Sequence, residues 1–342
     1  LKVAQLMAGA PAGGAELFFE RLTVALARAG DAVLPVIRRN AARAARLAEA
    51  GLVCAQVPFG GPLDFLTRPR LRMVLRRFAP RVAVAWMSRA AHFAPPGEWV
   101  LVGRLGGYYD LDSFSRCDHL VGNTRGLVDW IIEQGWPAER AHTLPNFAPD
   151  HAGAIPADRE ALGVPEGVRL VLALGRLHAN KGFDVLIRAM AKLPRAHAVI
   201  AGEGPERAAL RALARREGVA DRVHLVGWRS DVAELLAACD VLVCPSRHEP
   251  LGNVVIDAWS AERPVVACAS QGPRELIVAD ETGVLAPVDD AAALAEAIAS
   301  VIADAARAAR LAAAGRARFE AEFAEASVVA QWRHFLGAVE KI

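Results

Sequence analysis

Short apolar strands alternate with Ala- and Leu-rich helices along this chain, and the alternation breaks once and then restarts. Residues 3–7 read as a strand, Gly13-Gly14 breaks it, 15–29 reads as a helix, and 32–37 returns as a strand. Residues 82–86, 99–102 and 119–122 continue the pattern. A stretch rich in Ala, Pro and Gly with no period follows at 148–156. Beyond it the strands 168–174, 197–201, 223–226 and 241–244 alternate with helices at 184–192, 205–217 and 232–238. Such alternation predicts parallel sheets covered by helices on both faces. The break predicts two of them, doubly wound and Rossmann-like: residues 1–150 and 151–322. A terminal amphipathic helix at 323–342, with Val328, Trp332, Phe335 and Val339 at helical spacing, is expected to pack back on the first.

Composition agrees with a buried globular chain: 342 residues, 54% of them hydrophobic. A formal charge of +2 gives no argument for a nucleic acid partner. The five cysteines are widely spaced with no CxxC pair, so they read as reduced thiols and not as a zinc site or disulfide frame. Residues 1–7 run too soon into glycines for a signal peptide, and no run of about 18 apolar residues offers a membrane span. The expected location is cytoplasmic.

Parallel α/β sheets bind ligands beyond the carboxyl ends of their strands, so the post-strand loops carry the candidates. In Gly175-Arg176-Leu177-His178-Ala179-Asn180-Lys181-Gly182 two cations precede a helix. A lysine at a helix N-terminus opposes the macrodipole, which predicts a bound anion, a diphosphate above all. In Glu249-Pro250-Leu251-Gly252-Asn253 through Asp257, Asn253 is the expected N-cap and Gly252 lets backbone approach a ligand. Both carboxylates, Glu249 and Asp257, are expected on the ligand side. Gly202-Glu203-Gly204-Pro205 and Gly272-Pro273-Arg274-Glu275 are two further post-strand loops, and Gly13-Gly14-Ala15-Glu16 opens the first helix. None of them is a GxGxxG fingerprint. Asp110-Leu111-Asp112 has DxD spacing but lies away from the diphosphate loops, so no metal is expected.

In this combination and order, these motifs, with Thr282-Gly283 after the last, resemble the retaining glycosyltransferases of family 4 (glycosyl transferases group 1). The resemblance covers nearly the whole chain and is strongest over 170–287. It implies the GT-B fold, with two domains facing across a cleft, and transfer of a sugar from a UDP- or GDP-linked donor without a metal or other cofactor. It implies that Arg176 and Lys181 bind the diphosphate, and that Glu249 meets the donor sugar. Backbone at Leu251, Gly252 and Asn253 would meet phosphate, and Asp257 the ribose. The base would lie near Trp228 and Arg229, with Gly204 alongside and Gly13 and Gly14 approaching the diphosphate from the first domain.

Two positions depart from the family pattern. Asp257 stands where the family usually has glutamate, and no histidine occurs in Val102-Gly103-Arg104-Leu105-Gly106-Gly107-Tyr108-Tyr109. Arg104, Tyr108 or His92 are the candidates to contact sugar or acceptor instead. The expected acceptor is a glycan or lipid-linked glycan of cell-envelope polysaccharide synthesis. The arginine-rich, amphipathic residues 65–81 read as a helix that docks on an anionic membrane surface. An epimerase or phosphorylase of the same fold, or a non-catalytic sugar-nucleotide binder, is the alternative reading.

Overall fold

All strand pairings between the named strands are parallel. The structure is a computed structural model that describes residues 1–10, 13–61 and 63–340. The chain forms two compact units, Leu1–Phe147 with Glu325–Ile342, and Ala148–Ala324.

In the first unit the strands are β1 (Lys2–Met7), β2 (Ala32–Arg38), β3 (Ala55–Val57), β4 (Val82–Trp86), β5 (Val100–Arg104), β6 (His119–Gly122) and β7 (Ala141–Thr143), in the sheet order β3-β2-β1-β4-β5-β6-β7. Helices α1 (Gly14–Arg28), α2 (Ala41–Glu49), α3 (Thr67–Phe78), α4 (Met87–Phe93) and α5 (Arg125–Glu133) connect them. β4 and β5 are buried along their whole length, as strands covered on both faces must be. One face packs Phe19, Leu22 and Leu26 of α1, and the other packs Leu71 and Leu75 of α3.

The second unit holds β8 (Arg169–Leu174), β9 (Ala196–Ala201), β10 (Val223–Gly227), β11 (Val241–Cys244), β12 (Val265–Cys268) and β13 (Val284–Ala286), in the order β10-β9-β8-β11-β12-β13. Its helices are α6 (Phe183–Met190), α7 (Arg207–Arg216), α8 (Val232–Ala238), α9 (Asn253–Ser260), α10 (Gln271–Leu276), α11 (Ala291–Ile302) and α12 (Ala305–Arg318). In both sheets the first strand lies inside, with later strands added on one side and then on the other. The order in which strands are added therefore reverses between β1 and β4, and again between β8 and β11. Loops part at those two places, which is where this architecture takes its ligands.

The aperiodic segment 148–156 is irregular but not loose. Ala148 is buried in the second core, and the Asp150 carboxylate accepts two bonds from Arg316, at 2.6 and 2.9 Å. The terminal helix α13 (Glu325–Val339) belongs to the first unit. Its Trp332 is fully buried and stacks on Trp86 of β4, with ring centroids 6.4 Å apart.

Candidate active site

The loops after β8, β9, β11 and β12 are locked to one another by backbone. A Cβ placed on Gly182 would lie 2.0 Å from the Pro245 carbonyl oxygen, and one on Gly202 1.8 Å from that of Gly175. On Gly204 it would lie 2.3 Å from the Leu177 carbonyl oxygen, and on Gly272 2.2 Å from that of Leu251. No side chain fits at these crossings, so the loops form one surface and not four independent ones.

Arg247 tightens the same junction. Its guanidinium donates to both carboxylate oxygens of Asp184 at 2.7 and 2.8 Å, to Asp289 at 2.5 Å and to the Ala179 carbonyl at 2.8 Å. Asp184 is in the first turn of α6. One arginine after β11 thereby fixes the loop after β8. The charged partners hold its proton more firmly than in a free arginine, against the opposing effect of burial.

On that surface Lys181 donates through Nζ to Oε2 of Glu249, and Ser246 Oγ donates to the same oxygen at 3.2 Å. Burial acts to lower the Lys181 pKa, but the charge and hydrogen bond of Glu249 outweigh it, so the pKa is raised and the lysine is cationic at neutral pH. Lys181 ends a short 3-10 turn (Ala179–Lys181) ahead of α6, and its electrostatic position does call for an anion. In this structure that anion is Glu249. Lys181 and Glu249, expected on different parts of a ligand, are paired with each other by the fold. Arg176, by contrast, is exposed and has no side-chain partner among the described residues.

Four helices, α6, α7, α9 and α10, begin at these loops without a side-chain cap. α6 starts after Gly182 and α9 after Gly252, both in the left-handed region with φ of 62° and 95°. The cap of α9 is therefore Gly252 and not Asn253, which is the first helical residue; a glycine takes this conformation without the Cβ penalty that asparagine carries. In the same unit α11 and α12 are capped by Asp290 and Asp304, whose carboxylates accept first-turn amides. First-turn N–H groups that lack such a cap, near the cationic Lys181, are suited to an anionic ligand. Leu251 is buried under this turn and Asn253 is exposed.

Asp257 lies one turn inside α9, and His151 Nε2 stands 3.8 Å from its Oδ1. The Asp150–Arg316 bonds hold the segment that brings His151 there, a neighbour that sequence spacing does not reveal. Trp228 is exposed just beyond β10, while Arg229 is paired with Asp231 at 2.5 and 2.8 Å. The Asp231 hydrogen bond raises the Arg229 pKa.

In the first unit Gly13 precedes α1 and Gly14 is its first residue. The buried Glu16 carboxylate accepts from Ala10 N at 2.7 Å, and a Cβ on Gly13 would lie 2.3 Å from its Oε2. Gly13 thus makes room for the carboxylate that accepts from Ala10.

Arg104 is not a surface contact. It is 1% exposed, its guanidinium lies over the rings of Trp86 and Phe18 at 5.1 and 5.5 Å, and it donates to Leu105 O at 2.9 Å and Asn146 Oδ1 at 2.5 Å. Burial pulls its pKa down to about 10. It supports the loop after β5 from beneath and offers no open face to a sugar.

Tyr108 is partly exposed and packs edge-on against Trp130. His92 lies in the last turn of α4, where its carbonyl accepts from Arg68 and Arg116 at 2.9 and 3.0 Å, and its ring meets Phe93. Burial, and then those two arginines, lower its pKa. Asp110 accepts from Asp112 N at 3.0 Å and caps a short turn. Among the described residues no three His, Cys, Asp or Glu side chains gather as a metal site would require, and no helix is long and apolar enough to cross a membrane.

The family model for glycosyl transferases group 1 matches residues 154–318, the span that carries these loops. The chain is 33% identical to the lipopolysaccharide core biosynthesis glycosyltransferase LpsE of Rhizobium meliloti (strain 1021), over 95% of this chain and 96% of that one. It belongs to the glycosyl transferases group 1 family. LpsD of the same strain, also a lipopolysaccharide core biosynthesis glycosyltransferase, is 32% identical over 92% of each chain. Among solved structures, HepE from Anabaena in complex with UDP aligns with a TM-score of 0.85 at 23% identity, over 99% of this chain and all of that one. The fold is GT-B. The chain is thus a glycosyltransferase of this group, and its uncapped helix starts and paired Lys181 and Glu249 lie within the matched span.

Proposed function

We propose that this glycosyltransferase takes a sugar from a uridine- or guanosine-diphosphate donor, with retention at the anomeric carbon, as a member of family 4. The acceptor in this reading is a glycan or lipid-linked glycan of the cell envelope, as the names of LpsE and LpsD suggest. The reaction would run in the cytoplasm, at the inner face of the membrane where such acceptors lie. The observation that carries the reading is the Lys181–Glu249 pair on the loops that lead into the uncapped starts of α6 and α9. HepE, solved with UDP and with UDP-glucose, lends the fold a precedent for that donor class.

In this reading Arg176, Lys181 and the first-turn amides of α9 around Leu251, Gly252 and Asn253 hold the diphosphate. The bond from the anomeric carbon to the phosphate oxygen breaks, and its electron pair stays on the diphosphate. Cations already in place stabilise that charge. The acceptor oxygen bonds to the anomeric carbon on the face the diphosphate leaves, and its proton passes to a phosphate oxygen. Glu249, released from Lys181, accepts from donor sugar hydroxyls. Asp257 and His151 flank the ribose, and exposed Trp228 stacks on the base near Arg229, with Gly204 close by. Tyr108 remains a candidate acceptor contact in the first unit, where Gly13 and Gly14 open α1.

Incubation with a panel of UDP- and GDP-sugars and a glycan acceptor, read by product mass, tests the reading. Glycosylated product from one donor is expected, and donor epimerisation or phosphorolysis in its place would overturn it. Two cations and helix amides suffice to neutralise a diphosphate, so the rate is expected to stay within about twofold in excess EDTA. Loss of turnover restored by manganese would refute metal independence and return attention to Asp110 and Asp112.

A further inference from the structure

We propose that Ser246 is a positioning residue for sugar transfer: it keeps the Glu249 carboxylate aimed at the donor sugar while Lys181 turns to the diphosphate. The inference rests on the donor reading given above and assigns a role that this reading leaves open.

The two oxygens of Glu249 are not equivalent. Lys181 and Ser246 both donate to Oε2. Oε1 has no partner among the described residues and is not sealed from solvent. One oxygen is therefore anchored, and the other is open to accept from a hydroxyl. The two anchors differ as well. Lys181 reaches Oε2 on a flexible stem, its side chain is 26% exposed, and its ammonium is the group that meets a diphosphate. Once it does so, Ser246 is the donor left on Oε2.

Ser246 has no such freedom. It is buried, and one carbon separates its hydroxyl from the backbone. That backbone is pinned on both sides. The Pro245 carbonyl before it lies against Gly182, with no room for a Cβ between them. The Arg247 and His248 amides after it both donate to Asn180 O, at 2.8 and 3.2 Å.

The hydroxyl proton is directed too. Cys244 Sγ donates to Ser246 Oγ at 3.6 Å. Burial, and then the charge of Glu249, push the Cys244 thiol up to about 11, so it remains a donor at neutral pH. With the thiol on one of its lone pairs, the serine gives its own proton to Glu249. Cys244, Ser246 and Glu249 thus form a chain of bonds that polarise one another, and the open atom is at its end. Such a carboxylate holds its orientation without the lysine. A misplacement of about 1 Å at a reacting centre costs on the order of 100-fold in rate.

Calorimetry with UDP and GDP, beside the transfer assay with the donor that the panel above selects, provides the test. Ser246→Ala is expected to bind nucleoside diphosphate within about twofold of wild type and to lower kcat about tenfold or more. A serine that only fills space would change stability and spare kcat. The double variant Ser246→Ala, Glu249→Ala is expected to match Glu249→Ala alone within about twofold, because no carboxylate is left to position. Undiminished transfer by Glu249→Ala would refute the sugar contact itself. A large loss in Glu249→Ala with wild-type transfer by Ser246→Ala would overturn this proposal alone. So would a full further loss in the double variant, or a tenfold loss of nucleotide affinity in Ser246→Ala, since either would make the serine a structural part of the loop.

Discussion

Lys181→Ala is expected to weaken nucleoside diphosphate binding by about 10- to 150-fold and to lower transfer by more than that. A hydrogen bond between a cation and a phosphate contributes roughly 1.5–3 kcal/mol, which sets the binding range. The additional loss in turnover follows if the cation binds the departing diphosphate more strongly as charge builds on it. Glu249 is mostly buried and loses its cation in this variant, so the protein is also expected to be less stable. Calorimetry below the lowered melting temperature keeps the two effects apart.

Glu249→Gln separates the roles of the pair. The change removes the anion that now holds Lys181, so nucleotide affinity is expected to stay level or rise, while transfer falls at least tenfold because the sugar contact is lost. Wild-type nucleotide affinity in Lys181→Ala would show that the diphosphate is held elsewhere. A tenfold loss of nucleotide affinity in Glu249→Gln would show that the carboxylate serves the nucleotide and not the sugar.

The sequence spoke plainly where physics is local. β8 and β9 are six-residue runs each followed by a glycine, β11 is a four-residue run followed by Pro245-Ser246, and their apolar runs and punctuation give both the strands and the sheet type. β3 and β7 have three residues each, too few for a period to appear, and neither was legible. At α9 the cap rule favoured Asn253 by residue type, but the conformation of the preceding residue decides which one caps. Gly252 had already taken the left-handed turn.

The site divided in the same way. Loops after strands, and their glycines, stand out in a single sequence. Contacts between loops do not. Lys181 and Glu249 are separated by 68 positions, Arg247 and Asp184 by 63, and Arg104 and Asn146 by 42. A charged residue at the end of a strand reads as a ligand contact until its neighbours are known. Arg104 has aromatic rings on it and a carbonyl and an amide oxygen as acceptors, whereas Arg176 has no side-chain partner among the described residues, and nothing in the residue type separates the two. His151 was legible only as part of an aperiodic stretch, because the bond that fixes it comes from Arg316.

Gly182→Ala is expected to destabilise the second unit by about 2–5 kcal/mol and to impair nucleotide binding at any temperature where the protein remains folded. Two costs add. A residue with a Cβ pays roughly 1–2 kcal/mol in the left-handed region, where Gly182 sits at φ 62°. The new methyl would also lie 2.0 Å from the Pro245 oxygen and 3.0 Å from its carbonyl carbon, and overpacking of this kind costs about 1–3 kcal/mol. Since the obstacle is backbone, relief requires the loop after β11 to move, and that loop carries Ser246, Arg247 and Glu249. Displacement there separates Glu249 from Lys181 and tilts the start of α9. Gly218→Ala supplies the control: φ is 67° and no atom lies within 4 Å of the added Cβ, so only the conformational cost applies. For a unit of this size each kcal/mol is worth about 2–4 °C. Gly218→Ala should then melt roughly 2–8 °C below wild type with unchanged nucleotide affinity, and Gly182→Ala roughly 4–20 °C below with affinity reduced at least tenfold. If the two variants match in melting temperature and both bind nucleotide as wild type does, the crossing of the β8 and β11 loops does not support the site.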